Sequence, residues 1–574
     1  MKRFFVLLYA VLALMFAFSL AACDLSESTE PIACDDHTYG EWKVTKEPTC
    51  ADEGRKKRSC IVCTNIESSD IPPKGHRYSF EIIPPTALKE GYTLYTCEWC
   101  SDCYKDQVVP PTNNFVDDIG EYDFGGRDFV IAVDSNYRYE LFADEDSRET
   151  VDQYVYQRNL LMQQRFNVHI VANETQAVSS FDSGSHYDYI NRSLMRAEVE
   201  FDMITLPAGK NGRLATSGYF LDWRTETRYC KNSILSGNVW WPKELNTAAT
   251  ILGHQYFAVS DMCLTGMEMC SAILFNKDIE KNAGIAQMQF STETLYQAVE
   301  EGKWTLDSFY NIVKLYDFSS DENDMANKQD IVGLVAGLGA DADAWAFALG
   351  YSYIENDGVH MPELSLVSGA EVVAIQTLRN LLYNSGTCIL EDETERTQFF
   401  IDGQALFNLS SMRQLKAPRF ADMESDYGIL PYPKRDANQK QYLTGMKDSY
   451  TMISIPYFNF NMEMTDVLVE AMSAESYHSI KDAYALSTQE YNDLIDLDIY
   501  RMVDIIMRGR RCDLTTYHPM ELSSDGGGTM SLALLYRRLL QDQSLDIVDH
   551  YSDYCDSYEE HLTWMLDDYL GLFS

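Results

Sequence analysis

From residue 124 onward the sequence alternates apolar runs with amphipathic segments, and this alternation constrains the fold more than any other feature. DFVIAV (128–133) is continuously apolar, as a buried strand is, and 150–166 has apolar residues on one helical face. NVHIV, a helix-like stretch at 181–199 and FDMITLP (201–207) follow. This βαβαβ order predicts a parallel sheet covered by helices, with ligands beyond the carboxyl ends of its strands. Asp134, directly after the first strand, is therefore a predicted ligand residue.

Several longer segments carry a family resemblance. They include YDFGGRDFVIAV, FDMITLPAGKNGRLATSGYFLD, AILFNKDI, EEGKWTLDSFYNIVK, FIDGQALFNLSSM and DYGILPYPK. Together they resemble the carbohydrate-type extracellular solute-binding proteins of ABC importers, from about Phe124 to about Leu514. The resemblance implies an α/β, two-lobed periplasmic-binding-protein-like (type II) clamp over 124–574, with the chain crossing between lobes near 255–277 and 440–456. It also implies a sugar or oligosaccharide ligand, ABC permease partners, no catalysis and no cofactor in this domain; we expect a monomer.

Two adjacent tryptophans in GNVWWPKELN precede the predicted crossing strand at 255–260. Neighbouring side chains point in different directions, so we expect one indole to pack in the core and the other to form a platform for a sugar ring. Ionised carboxylates would then accept hydrogen bonds from the sugar hydroxyls. The predicted ligand residues are Asp134, Trp240, Trp241, Asp261, Glu268 and, from the second lobe, Trp345. The alternative is that the tryptophans only pack.

The first 23 residues predict export and anchoring. Lys2 and Arg3 precede an apolar run that ends in LAAC, which is typical of a secretory signal peptide and resembles the lipobox of bacterial lipoproteins. We expect a signal peptide at 1–22, lipidation of Cys23 and a polar tether over 23–33, which would hold the protein at the extracellular face of the cell membrane. An ordinary signal peptide with an accidental cysteine is the alternative.

Residues 34–112 contain a repeat with an offset of 37 residues, followed by a linker at 113–123. Gly54 and Cys60-x-x-Cys63 recur as Gly91 and Cys97-x-x-Cys100. Paired thiolates at this spacing are typical of zinc sites, and so short a unit needs a staple. The predicted zinc ligands are Cys50, Cys60, Cys63, His76, Cys97 and Cys100, with Cys103 or His37 completing a shell. Disulfides and free thiols are alternatives, and Ala87 replaces Cys50 in the second copy, so the two sites differ.

The charge balance excludes one class of partner. The chain has 46 basic and 88 acidic residues, a net charge of −42, and nucleic-acid binding needs a basic surface. No HExxH, GxSxG or GxxxxGK[ST] motif occurs. The family resemblance and the lipobox-like LAAC together imply a lipid-anchored solute receptor. The alternative is a surface adhesion or sensing protein that binds a cell-wall or protein partner through its zinc-ribbon-like repeat.

Overall fold

The computed structural model describes most of the chain: 36–63, 65–83, 91–100, 102–109, 117–177, 184–198, 200–316, 331–365, 369–489, 492, 496–523 and 529–573. The predicted signal peptide (1–22), Cys23 with the tether (23–33), and Cys34 lie outside these residues. Internal contacts divide the chain into two units, Met1–Asn113 and Asn114–Ser574, called here the amino-terminal module and the main unit. None of the described helices is long and apolar enough to cross a bilayer.

The amino-terminal module consists of two three-stranded antiparallel sheets, one for each copy of the repeat. The strands are β1 (Lys43–Lys46), β2 (Gly54–Ser59), β3 (Ile66–Ile71), β4 (Tyr78–Ile83), β5 (Gly91–Cys97) and β6 (Cys103–Val109). The repeated glycines, Gly54 and Gly91, begin the two central strands. At Gly54 a Cβ would lie 2.7 Å from the carbonyl oxygen of Lys46, so the close approach of the chain requires glycine there.

The first lobe of the main unit is built on a four-stranded sheet in the order β18-β9-β7-β8. Its strands are β7 (Arg127–Asp134), β8 (Val168–Thr175), β9 (Met203–Pro207) and β18 (Thr451–Ser454). β7 lies parallel to β8 and β9, which confirms the predicted βαβαβ arrangement, and β18 joins β9 antiparallel.

The second lobe is built on a five-stranded sheet in the order β14-β11-β15-β10-β16. Its strands are β10 (Ser271–Asn276), β11 (Val332–Ala336), β14 (Thr387–Ile389), β15 (Ala405–Ser411) and β16 (Tyr427–Leu430). β11 lies parallel to β14 and β15, whereas β10 is antiparallel to both of its neighbours, β15 and β16. Each sheet thus contains one antiparallel strand that enters from the other lobe, and the predicted two-lobed α/β architecture is confirmed.

The predicted crossing strand at 255–260 is wrong in detail. Only Ala258 makes a bridge, to Ile453 of β18, and the segment is otherwise irregular. The side chain of Asn246 takes the place of a neighbouring strand: its Oδ1 accepts from the Val259 amide at 3.0 Å and its Nδ2 donates to the Val259 carbonyl at 2.8 Å. The backbone is satisfied without a ladder, so the apolar run need not extend as a strand.

The helices of the main unit surround these sheets. Those before β11 are α1 (Thr150–Phe166), α2 (Gly184–Arg196), α3 (Ala208–Thr216), α4 (Trp223–Glu226), α5 (Tyr229–Ser236), α6 (Lys243–Ala248), α7 (Thr265–Glu268), α8 (Lys277–Ala283), α9 (Ile285–Phe290), α10 (Leu295–Glu300) and α11 (Leu306–Lys314). Those after it are α12 (Ala340–Ala348), α13 (Gly369–Tyr383), α14 (Glu393–Ile401), α15 (Met462–Glu475), α16 (Lys481–Ser487), α17 (Leu497–Arg508), α18 (Leu514–Tyr517), α19 (Leu532–Gln541) and α20 (Ile547–Phe573).

Short paired strands and single turns complete the main unit. The pairs are β12 (Ile354–Glu355) with β13 (Glu363–Leu364), β17 (Thr444–Gly445) with β19 (Arg510–Arg511), and β20 (Leu522–Ser523) with β21 (Thr529–Met530). Three 3₁₀ turns span Ser135–Glu140, Met412–Lys416 and Pro418–Asp422, and a π turn spans Ser476–Ile480. Two of the 3₁₀ turns directly follow central strands.

The last helix contacts both lobes. With 27 residues, α20 is about 40 Å long at 1.5 Å per residue. It packs on α19, which itself packs on α12 and α13 of the second lobe, and on α3 of the first lobe. Near its end the ring of Phe573 stacks on His254 at 4.0 Å. Near its middle the hydroxyl of Tyr558 donates to the carbonyl of Met530 at 2.7 Å.

Candidate functional site

Two of the 3₁₀ turns lie at the junction of the lobes, each at the carboxyl end of a central strand. β7 ends at Asp134 and leads into the turn Ser135–Glu140, while β15 ends at Ser411 and leads into the turn Met412–Lys416. Asp134 is buried, and its carboxylate accepts from the amide of Asn136 at 2.9 Å, which caps the first turn. Asp134 therefore lies at the strand end predicted from the sequence, where it holds the turn in place.

Side chains from the two turns meet at Glu268, the last residue of α7. The hydroxyl of Tyr139 donates to Glu268 Oε2 at 2.5 Å, and Lys416 Nζ lies 3.9 Å from Glu268 Oε1. Arg413 belongs to the same group and interacts with both Tyr137 and Tyr139. We call this group the interlobe cluster; its members are Tyr137, Tyr139, Glu140, Glu268, Arg413 and Lys416.

The interlobe cluster combines aromatic rings with charges of both signs. Burial would lower the pKa of Arg413, but Tyr139, Glu268 and Tyr137 raise it overall, so the guanidinium stays charged. Glu268 is only 3% exposed, whereas Arg413 is open to solvent. The cluster therefore offers an accessible planar cation and tyrosine rings, held in place by a buried carboxylate, and the cation and rings can bind the hydroxyls and apolar faces of a polar solute.

Within the interlobe cluster, Glu140 connects three separate segments. Its Oε2 accepts from the amide and the hydroxyl of Thr265 at 2.9 and 2.6 Å, and the hydroxyl of Thr451 lies 2.5 Å from its Oε1. Burial raises the pKa of Glu140 to about 7, although the threonine hydrogen bonds oppose this shift. One carboxyl group thus fixes the first turn, α7 and β18 together.

Between about pH 4.5 and 7 the free energy of unfolding of the wild type is expected to fall as pH rises, and Glu140→Gln is expected to make that fall smaller. In that window the folded wild type binds more protons than the unfolded chain, because the pKa of Glu140 is raised on folding, so its free energy of unfolding falls as pH rises. A shift of this size corresponds to about 3 kcal/mol once titration is complete. Glutamine does not titrate, and its amide can bond both threonines.

Urea unfolding at pH 5 and pH 8 measures the effect. The stability of Glu140→Gln relative to wild type should rise with pH, whereas the exposed Glu226→Gln should follow wild type at both values. An unchanged difference between Glu140→Gln and wild type at the two pH values would show that Glu140 does not titrate in this window.

The structure places the paired tryptophans in the interior and not at an open platform. Trp240 and Trp241 are 5% and 1% exposed, and their indole N–H groups donate to the two oxygens of Glu470 at 3.0 and 2.8 Å. The segment before Pro242 is a turn, so adjacent rings can converge on one buried carboxylate. Burial raises the pKa of Glu470 to about 7. The prediction of a platform is corrected, and packing is the role of both rings.

Asp261 and Trp345 are also interior residues. Asp261 is fully buried and forms an ion pair with Arg510, whose Nη1 lies 2.6 Å from its Oδ1. Trp345 is 1% exposed and packs edge-on to Tyr432, with ring centroids 4.6 Å apart. The predicted roles of hydroxyl acceptor and stacking ring are therefore replaced by structural ones. Of the predicted ligand residues, Glu268 lies in the interlobe cluster, and Asp134 caps the adjoining turn.

Two groups of cysteine and histidine residues in the amino-terminal module could hold metal ions. The first group, Cys50, His76, Cys97 and Cys100, places four ligand atoms within 4.8 Å of one another, and the second, His37, Cys60 and Cys63, places three within the same distance. All six predicted ligands fall in these two groups. Cys103 lies in neither group, and its side chain is exposed.

The sequence contains a signal for the other residues of the interlobe cluster. Tyr137, Tyr139 and Glu140 follow the first predicted strand, 128–133, within seven residues, although the predicted ligand residue there is Asp134. Arg413 and Lys416 follow the strand in FIDGQALFNLSSM in the same way, at the corresponding strand end of the second lobe. Applying the rule to both lobes would have found all five.

No protein-family model matches the sequence, and no curated protein resembles it closely enough to align. Solved structures similar to it include the GacH receptor of Streptomyces glaucescens (11% identity, TM-score 0.44, 76% of this chain and 99% of that one). A sugar transporter protein of Rhizobium etli in an open conformation has 10% identity and a TM-score of 0.49 over 76% and 99% of the two chains. The maltose/maltodextrin-binding domain MalE of Bdellovibrio bacteriovorus, bound to maltotriose, has 12% identity and a TM-score of 0.43 over 76% and 100%.

Proposed function

We propose that the main unit is the solute-binding component of an ABC importer and that it captures a sugar or an oligosaccharide. The observation that carries the proposal is the convergence of both lobes on one polar and aromatic cluster. The turns after β7 and β15 belong to different lobes, yet Tyr139 and Lys416 both reach Glu268. A ligand that bridges these turns would stabilise the closed arrangement of the lobes.

The chemistry of the interlobe cluster favours a carbohydrate. Sugar rings have apolar faces that pack on aromatic rings, and their hydroxyls form strong hydrogen bonds with charged partners. Tyr137 and Arg413 supply both kinds of contact and are not fully buried. The role proposed is binding without catalysis: Glu140 and Glu268 are both buried and already accept hydrogen bonds from protein groups.

The setting proposed for this function follows from the sequence. Lipidation of Cys23 would anchor a monomer at the extracellular face of the membrane, where it would deliver its solute to permease subunits. For the amino-terminal module we propose zinc as the staple, bound by the two Cys/His groups. The binding domain needs no cofactor for this role.

Arg413→Ala is expected to abolish most of the stabilisation that a true ligand gives. A ligand at 100 times its dissociation constant stabilises the folded protein by about 2.7 kcal/mol, so a thermal-shift screen of mono- and oligosaccharides should identify sugars that raise the melting temperature. Removing the guanidinium deletes charge-assisted hydrogen bonds, each worth about 1.5–3 kcal/mol, and should weaken binding about 10- to 150-fold.

The matched control is Arg419→Ala, which removes the same side chain from the neighbouring turn Pro418–Asp422. It should bind sugar as wild type does. If Arg413→Ala binds the sugar unchanged, the cluster is not the site. If no sugar in the screen raises the melting temperature, the proposed ligand class is wrong.

A further inference from the structure

The second copy of the repeat in the amino-terminal module takes one member of its Cys/His group from the first copy. Cys50 lies between β1 and β2 of the first sheet, whereas His76, Cys97 and Cys100 border the second sheet. Backbone hydrogen bonds hold the two parts together, because the amides of Lys74 and Gly75 donate to the carbonyls of Thr49 and Cys50 at 2.9 and 3.1 Å.

The spacing of these four residues fits a tetrahedral metal site. With zinc–sulfur and zinc–nitrogen bonds of about 2.3 and 2.0–2.1 Å, the edges of a tetrahedron are about 3.8 Å between sulfurs and about 3.6 Å between sulfur and nitrogen. Cys50 Sγ lies 3.9 Å from Cys97 Sγ, and Cys100 Sγ lies 3.4 Å from His76 Nδ1. Both distances agree with the tetrahedral edges to about 0.2 Å, and the sulfur pair is far from the roughly 2.05 Å of a disulfide.

The described part of the module has almost no other interior. Three cysteines, Cys50, Cys60 and Cys97, are buried there, but none of its described leucine, isoleucine, valine or aromatic side chains is. Several of those side chains are instead open to solvent, among them Ile61 and Trp99. Two small sheets without an apolar core need a staple, and a bound metal supplies folding energy directly.

Resting on zinc as the staple, we propose that one zinc ion held by Cys50, His76, Cys97 and Cys100 joins the two copies of the repeat. Three thiolates and one imidazole complete a closed, structural shell with no position for a substrate. In the second copy Ala87 stands where the first copy has Cys50. This is consistent with the arrangement, because the fourth zinc ligand of the second copy, Cys50, comes from the first copy. Among the described residues the other group, His37, Cys60 and Cys63, supplies three ligands.

Zinc content of the purified full chain tests the assignment. After dialysis against metal-free buffer, Cys50→Ser should retain about one zinc equivalent less than wild type, as expected for a four-ligand site that has lost one thiolate. Cys103→Ser is the matched control, because it removes a cysteine of the same module that lies outside both groups, and it should retain the full content. Equal zinc in Cys50→Ser and wild type would overturn this site while leaving zinc binding by the module intact.

Thiol labelling of the wild-type chain gives a second measurement that does not depend on a variant folding. Cys50, Cys97 and Cys100 should react with iodoacetamide slowly until a chelator is added and rapidly afterwards, whereas Cys103 should react rapidly throughout. Protection that a chelator does not release, together with a mass two hydrogens lower, would indicate a disulfide. That result, with no zinc bound, would overturn both the site and the proposed zinc staple.

Discussion

Asp261→Ala is expected to lower the free energy of unfolding of the main unit by about 3–5 kcal/mol, the usual cost of removing one partner from a buried ion pair. Arg510 is 4% exposed and donates to Asp261 at 2.6 Å, to the Gly266 carbonyl at 3.2 Å and to the Met507 carbonyl at 2.8 Å. Without Asp261 its charge would stay buried with only neutral acceptors. Urea unfolding followed by circular dichroism measures the loss.

Two further variants separate the charge from its surroundings. Asp261→Leu combined with Arg510→Met should recover much of the stability, because apolar side chains of similar size often replace a buried pair without cost. Asp128→Ala is the matched control: its ion pair with His169 is largely exposed, and such pairs contribute less than about 1 kcal/mol. A loss below 1 kcal/mol in Asp261→Ala would contradict the structural role and return Asp261 to the candidate ligand residues.

Trp241→Ala is expected to cost about 3–5 kcal/mol, because truncating a buried tryptophan removes apolar contact and leaves a cavity. Trp241 packs against Trp223, with ring centroids 5.9 Å apart, and its loss also removes a hydrogen bond to Glu470. Affinity for any ligand found in the thermal-shift screen should change by no more than about twofold at temperatures where the variant is folded. A tenfold change would require the loss of about 1.4 kcal/mol of contact with the ligand, and a buried ring makes no such contact.

Trp564→Ala removes the same side chain from α20, where it is 55% exposed, and should change stability little. The two variants therefore separate a packed indole from an exposed one in the same chain. Weakened binding by Trp241→Ala with unchanged stability would reinstate the stacking platform proposed from the sequence.

The sheets could be predicted from the sequence because strands such as β7 and β10 contain a continuous apolar run that is followed by polar turn residues. DFVIAV and AILFNK appear as β7 and β10. The parallel order of β7, β8 and β9 in the first lobe follows from the alternation of these three strands with helices. The run at 255–260 is equally apolar but is not a strand, since the side chain of Asn246 bonds its backbone. No local pattern reveals a partner nine or more residues away in the chain.

The site was harder to predict because residue type does not determine burial. Two adjacent tryptophans suggest an exposed surface for a sugar, yet Glu470, 229 residues away from Trp241, pairs with both. The carboxylate of Asp261 is chemically identical to one that accepts hydrogen bonds from a ligand. Only its close contact with Arg510, which is 249 residues away in the sequence, assigns it to an ion pair. Glu268 was predicted as a ligand residue only from its place in the sequence, close to the start of β10.

Helix α20 changes what opening the two lobes would require. Because it packs on α19 in one lobe and on α3 in the other, any separation of these two helices must break contacts along α20, on which Tyr558, Leu566 and Tyr569 are buried. If the main unit is the solute-binding clamp proposed above, these contacts would hold the ligand-free protein near the arrangement of lobes described here. When the binding-competent conformation is already the more populated one, the apparent dissociation constant approaches the intrinsic value and little affinity is lost to closure. In that proposed role the same restraint would slow both the entry and the release of the solute, because both steps require the lobes to separate.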